Sequence, residues 1–259
     1  MPHTHCYTKA AKRPRRSLSP WLDVLAIAAW GGLLLKFWLT GQLFLLIHPN
    51  YLGLTVASAV ALLVMSGAKA IELLKHSTRS VAAQHITLLP PNWSSGLLLI
   101  IAIGGLCLTP RAFASDTAIQ RGLGDTLTLA RVKPQVFRGS TRTEDKTLID
   151  WVRTLQVYPE PDAYTGQKAK VTGFVVYVPN LPAQYFLLTR FVITCCAADV
   201  YPVSLPIKLP TGDRTAYKPD TWLEVTGQMT TEQLNNQRQL TIAAKSLTPI
   251  AEPKDPYNY

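Results

Sequence analysis

The chain has 259 residues, 47% hydrophobic and only 16% charged, enough for a membrane part and one soluble domain of ordinary size. Charge that scarce, against about a quarter of residues in a typical soluble domain, places part of the chain in lipid. The net charge of +10 does not make it a nucleic-acid binder, because residues 1–112 carry ten Lys/Arg against two acids while residues 113–259 carry sixteen against fourteen. The excess sits beside apolar segments, where basic residues set orientation, and the remainder lacks a basic footprint.

Residues 1–20 form a basic tail with Lys9, Lys12, Arg13, Arg15 and Arg16, no acid and no apolar face. This composition predicts a disordered cytoplasmic arm. Apolar segments at about 21–47, 52–74 and 93–110 predict three transmembrane helices, since roughly 20 residues of helix cross a bilayer core. Lys36 interrupts the first, where an ammonium at mid-bilayer costs about 3 kcal/mol. Either it snorkels to the outer interface or it makes a polar contact with another helix. His48-Pro49-Asn50-Tyr51 reads as a tight turn, because proline cannot continue the helix and asparagine tolerates turn geometry; His48 is a polar anchor there. The tail and residues 69–92 hold eight Lys/Arg, the turn none. Positive charge is retained in the cytoplasm, so with three crossings everything after about Pro110 is extracytoplasmic, a multi-pass plasma-membrane topology. Ala112-Phe113-Ala114 has the form of a signal-peptidase site, but two spans before it argue against a conventional signal peptide.

Residues 113–165 read as a polar linker with a short strand near 127–132 and a helix at about 144–156, its N-cap placed at Thr143 before Glu144 and Asp145. Leu148, Trp151, Val152 and Leu155 fall on one helical face, and Trp151 is a core anchor. Residues 166–250 change to strand patterning. Runs at 169–178, 185–194, 201–209, 222–227 and 239–247 are rich in β-branched and aromatic residues. Gly173 marks a bend or bulge, and Pro202 and Pro206 make the third run an edge or irregular strand. Five strands with a bent first one predict a small all-β, OB-like barrel after one helix. Residues 251–259 read as a tail.

Lys170-Val171-Thr172-Gly173-Phe174-Val175, residues 190–199 (Arg190-Phe191-Val192-Ile193-Thr194-Cys195-Cys196-Ala197-Ala198-Asp199) and Trp222-Leu223-Glu224-Val225-Thr226-Gly227 resemble the YcgQ-like family of bacterial membrane proteins. Ile47-His48-Pro49-Asn50-Tyr51 and Asp150-Trp151-Val152 share in the likeness, which covers most of the chain. Members are described as small subunits of a two-component permease. The resemblance therefore implies an accessory role beside a polytopic large subunit of the YraQ/ArsP-like permease kind, with the outer domain docking on it or delivering cargo. An associative link to metal homeostasis goes with it.

Cys195, Cys196 and Asp199 are the candidate site. Cys6 falls in the cytoplasmic tail and Cys107 in the membrane, so neither reaches the outer pair. Adjacent cysteines do not present normal disulfide geometry, and two free thiols in an oxidising compartment call for an explanation. They are either small buried hydrophobes at a strand end, ligands for Zn²⁺ or Cu(I), or redox groups. Metal binding requires the strand to end near Thr194 and a turn to follow, because neighbouring side chains within a strand point to opposite faces. Three ligands are too few for a closed site, and the last histidine is His85, so a partner or cargo would complete it. Arg190 pairs with Asp199 or stays solvated. With no Ser-His-Asp set after residue 85 and no phosphate-binding loop, an enzyme is not expected. The rival to the permease subunit is a stand-alone, membrane-tethered metal-binding or redox-sensing module.

Overall fold

Twenty-one residues from Ser19 to Leu39, charged only at Asp23 and Lys36, form helix α1 in the computed structural model, which describes residues 19–75, 93–123, 143–179, 181–210 and 212–259. The chain divides into two units, one of residues 1–41 and 53–109 and the other of residues 42–52 and 110–259. The basic tail, most of the loop before Trp93 and the expected strand at 127–132 lie outside the described residues.

The first unit holds α1, α2 (Leu52–Lys75) and α3 (Trp93–Cys107). Two helical stretches, Pro20–Leu39 and Pro49–Lys75, are long and apolar enough to cross a membrane. The 15 residues of α3 span only about 22 Å at 1.5 Å per residue. The first segment does not run helically to residue 47 as expected. The Thr40 hydroxyl turns back onto the Lys36 carbonyl at 2.8 Å, and Gly41 takes φ 72°, the left-handed conformation that ends helices. Gln42–Leu45 and Pro49–Tyr51 follow as 3₁₀ turns.

Small residues and a few polar ties hold the three helices together. A Cβ on Gly31 would lie 2.8 Å from Leu63, and one on Gly105 2.9 Å from Leu33, the close approach typical of helix packing in lipid. Lys36 Nζ donates to the Leu106 carbonyl at 2.6 Å, so the lysine makes the interhelical contact rather than simply snorkelling. Trp30 Nε1 donates to the Leu98 carbonyl at 3.1 Å and the Ser66 hydroxyl to that of Val24 at 3.0 Å. Outward faces of α2 and α3 stay apolar and exposed at Leu54, Val64, Leu74, Leu97 and Ile100.

In the second unit the strands are β1 (Lys168–Val176), β2 (Tyr185–Val192), β3 (Tyr201–Lys208), β4 (Trp222–Leu234), β5 (Gln237–Pro249) and the short β6 (Tyr257–Asn258). Their hydrogen-bonded order is β1-β4-β5-β3-β2-β6, with β1 also paired to β2. The pairings therefore run in a ring from β1 through β4, β5, β3 and β2 back to β1. One strand serves two neighbours because β1 pairs with β4 over residues 168–174 and with β2 over 174–176. Gly173 stands at that handover, where a Cβ would come 2.7 Å from the Thr189 carbonyl. At Gly227, beside a register shift between β4 and β5, a Cβ would lie 2.2 Å from the Ala243 carbonyl.

The expected strands are present, but the third is no edge strand, since β3 lies between β5 and β2, and the fourth runs on to Leu234; three further differences concern the helix, the linker and the last residues. The helix labelled here α5 is Leu148–Val157, capped by Thr147 and Asp150 in a reciprocal capping box rather than by Thr143. Its stripe of Leu148, Trp151, Val152 and Leu155 is buried against Val171, Phe186, Ile207 and Ile242. Part of the expected linker is structured, since the single-turn α4 (Ser115–Ala118) leads to Leu123, and Ala118 and Leu123 join a second core with Phe174, Phe191 and Trp222. The last residues are no tail: Tyr257 is buried, and β6 pairs parallel to β2.

Candidate thiol site

Strand β2 runs out at Val192, and bends at Thr194 and Cys195 replace it. The condition for the two cysteines to share a face is thereby met. Asp199 shapes the turn. Its Oδ2 accepts from the Cys195 amide at 2.8 Å and from the Thr194 hydroxyl, and its Oδ1 accepts from the Cys196 amide at 3.1 Å. The Asp199 amide in turn donates to the Cys196 carbonyl at 3.0 Å, closing a four-residue turn of the kind aspartate side chains stabilise. The Cys195 and Cys196 sulfurs stand 3.6 Å apart, and both thiols are free. One ligand atom from each of Cys195, Cys196 and Asp199 lies within 4.8 Å of the others.

Three surrounding segments hold the turn. The stretch between α1 and α2 lies along it as a short antiparallel bridge, Ile47 opposite Cys196. There the His48 amide donates to the Cys195 carbonyl at 3.0 Å and the Ala197 amide to the Leu46 carbonyl at 2.8 Å. Arg121, just before Gly122 with its φ of 93°, donates to the carbonyls of Ala197 (3.5 Å), Ala198 (3.2 Å) and Val200. The Ile193 amide donates to the Asn258 carbonyl at 3.0 Å. A turn satisfied from all these sides is fixed in the folded domain, although Cys195 itself is exposed.

The electrostatics of the site follow from the same bonds. The hydrogen-bonded Asp199 carboxylate, and after it the Cys196 thiol, push the Cys195 thiol up to about 11. Burial raises the Asp199 carboxyl, but hydrogen bonds from Thr194, Cys195 and the two backbone amides outweigh it and hold the group below its ordinary value. Cys195 is thus a neutral thiol near pH 7 and a poor nucleophile, because the thiolate is the reactive form. A carboxylate offers about four lone-pair positions; the Thr194 hydroxyl, the Cys195 thiol and the two amides fill them, and the thiol's place falls free when the thiol gives up its proton.

Arg190, weighed as a partner of Asp199, stands apart from the site, and His48 meets it through its backbone. Arg190 does not pair with Asp199: it donates to Thr172 Oγ1 at 3.2 Å and the Asp255 carbonyl at 3.1 Å and lies over the Trp222 ring. His48 is the anchor its turn required, with Nδ1 accepting from the Asn50 amide at 3.1 Å and its ring edge-on to Tyr259. Arg121 and the 46–48 stretch were not visible as partners. Arg121 holds the turn through backbone carbonyls, which leave no complementary residue type elsewhere in the sequence to betray it.

Comparison with known proteins adds a likeness over the second half of the chain. The DUF1980 C-terminal domain profile matches residues 132–259. A Streptococcus mutans protein named "Putative two-component membrane permease complex subunit" is 34% identical over 128 residues, covering 48% of this chain and 45% of that protein. The chain thus spans less than half the length of this relative. No solved structure matches.

Proposed function

From the match of residues 132–259 to the DUF1980 C-terminal domain we propose that the chain is the accessory, small subunit of a two-component membrane permease. The name of the Streptococcus mutans relative is the observation that carries this reading. The apolar helices support it, since α2 and α3 expose Leu54, Val64, Leu97 and Ile100 to whatever surrounds them, lipid or a larger subunit.

In this reading α3 is the third crossing. It is shorter than the roughly 30 Å core, but the bonds from Trp30 and Lys36 align it with α1 along most of its length. The second unit then lies outside the cytoplasm. Its ring of pairings, with the bent β1 and the parallel β3–β5 contact, is an OB-like arrangement. This outer domain docks on a polytopic large subunit of the YraQ/ArsP-like kind, or delivers cargo to it, and contributes no catalysis of its own.

Purification of the full chain from native membranes in mild detergent tests the role. A polytopic permease recovered in fixed ratio is the expected result; recovery of the chain without any such protein overturns it. A second reading, a tethered metal-binding or redox-sensing module, is favoured by the grouping of Cys195, Cys196 and Asp199. Its redox form is opposed by the neutral state of Cys195.

A further inference from the structure

We propose that Cys195, Cys196 and Asp199 form an exchangeable binding site for one tetrahedral, thiophilic divalent cation of the zinc class. The claim rests on the cargo-handling reading only in naming the cargo; the site itself is argued from geometry.

The sulfur separation selects among soft ions. Two thiolates on a tetrahedral ion with Zn–S bonds of about 2.3 Å stand about 3.8 Å apart, whereas a linear two-thiolate ion with similar bonds would hold them at about 4.6 Å. The observed 3.6 Å is close to the tetrahedral edge, so a zinc-like ion fits the pair as it stands, whereas two-coordinate Cu(I) would need the sulfurs to move apart. Asp199 Oδ1 accepts from the Cys196 amide, and loss of the Cys195 thiol proton frees a carboxylate lone pair for the third position. Exposed Cys195 can turn its thiol the short way needed to close the set.

The turn is preformed for this task. The Asp199 carboxylate fixes the amides of both cysteines from inside. From outside, the bridge from Ile47 and the Arg121 guanidinium hold the Cys196–Val200 backbone. Outer contacts of this kind orient the ligands of metal sites. Three protein ligands leave a fourth position open, the pattern of sites that exchange a ligand rather than of closed structural ones. On binding, the ion takes the place of two thiol protons, which pass to solvent, with no change of oxidation state.

Cobalt(II), a coloured stand-in for zinc, tests the site in the reduced full chain held in detergent. One equivalent should give a near-ultraviolet sulfur-to-cobalt charge-transfer band and the intense visible bands of a tetrahedral ion, both bleached by zinc. Cys195→Ser and Cys196→Ser should each weaken zinc binding roughly 100-fold or more and halve the charge-transfer band, and the double variant should abolish it. Cys107→Ser should leave it unchanged. Absence of the band in the native chain, or its persistence in the double variant, overturns the proposal. A measurement independent of any variant is alkylation mapped by mass spectrometry. Zinc should protect Cys195 and Cys196 but not Cys107, and equal rates with and without zinc overturn the site. Neither assay involves a partner, so a failed permease purification and a failed metal site remain separate results.

Discussion

Replacing Asp199 with asparagine isolates what the carboxylate does to Cys195. Asparagine keeps the size and one acceptor oxygen of the turn but removes the charge that pushes the thiol from an ordinary 9.0 up to about 11. Full relief would raise the thiolate fraction near pH 8 about 100-fold. Intrinsic nucleophilicity falls with pKa, with a Brønsted coefficient of about 0.4–0.5, which returns roughly tenfold of that gain. The net expectation is an alkylation rate about tenfold higher. Because Cys196 also contributes to the shift, relief of only half of it still leaves a gain of about threefold. Iodoacetamide labelling of the metal-free chain, with the two sites distinguished by tandem mass spectrometry, reads the effect directly. An unchanged or slower rate at Cys195 would refute the assignment of Asp199 as the group that holds this thiol neutral.

Other consequences are tested by stability. Trp151, fully buried in the core of the second unit, should cost about 3–5 kcal/mol when replaced by alanine, read in denaturant unfolding; a cost below about 1 kcal/mol would remove it as the anchor of α5. Gly227→Ala drives a methyl towards the Ala243 carbonyl and should destabilise by about 1–3 kcal/mol, whereas Gly67→Ala, inside α2 with open space around it, should not lower the melting temperature, since alanine favours helix over glycine. The Asp199 carboxyl sits below its ordinary 3.8, so the stability it contributes is complete above that value and is lost as pH falls through the lower, folded one. The melting-temperature gap between the native chain and Asp199→Asn should therefore be constant above that ordinary value and shrink below it.

Most of the second unit was legible because its determinants are local. Alternation in Trp222–Leu234 and the helical stripe from Leu148 to Leu155 each encode which face is buried. The return at Cys195 was legible only as a condition, since a side chain four residues on decides whether the strand continues. What escaped reading is non-local. The seating of Ile47 beside Cys196 and of Tyr257 beside Phe191 uses backbone pairing between segments far apart, and backbone groups are alike at every residue. The stop of α1 at Leu39 escaped for another reason: residues 42–47 are as apolar as a helix in lipid, and only the conformational freedom of Gly41 turns the chain.

Sidedness of the thiol turn decides whether it can meet cargo from outside the cell. In spheroplasts carrying the Cys6→Ser/Cys107→Ser chain, a membrane-impermeant maleimide should label Cys195 and Cys196 at the same rate before and after permeabilisation. Labelling that requires permeabilisation would place the turn in the cytoplasm and contradict the assigned topology together with the role built on it.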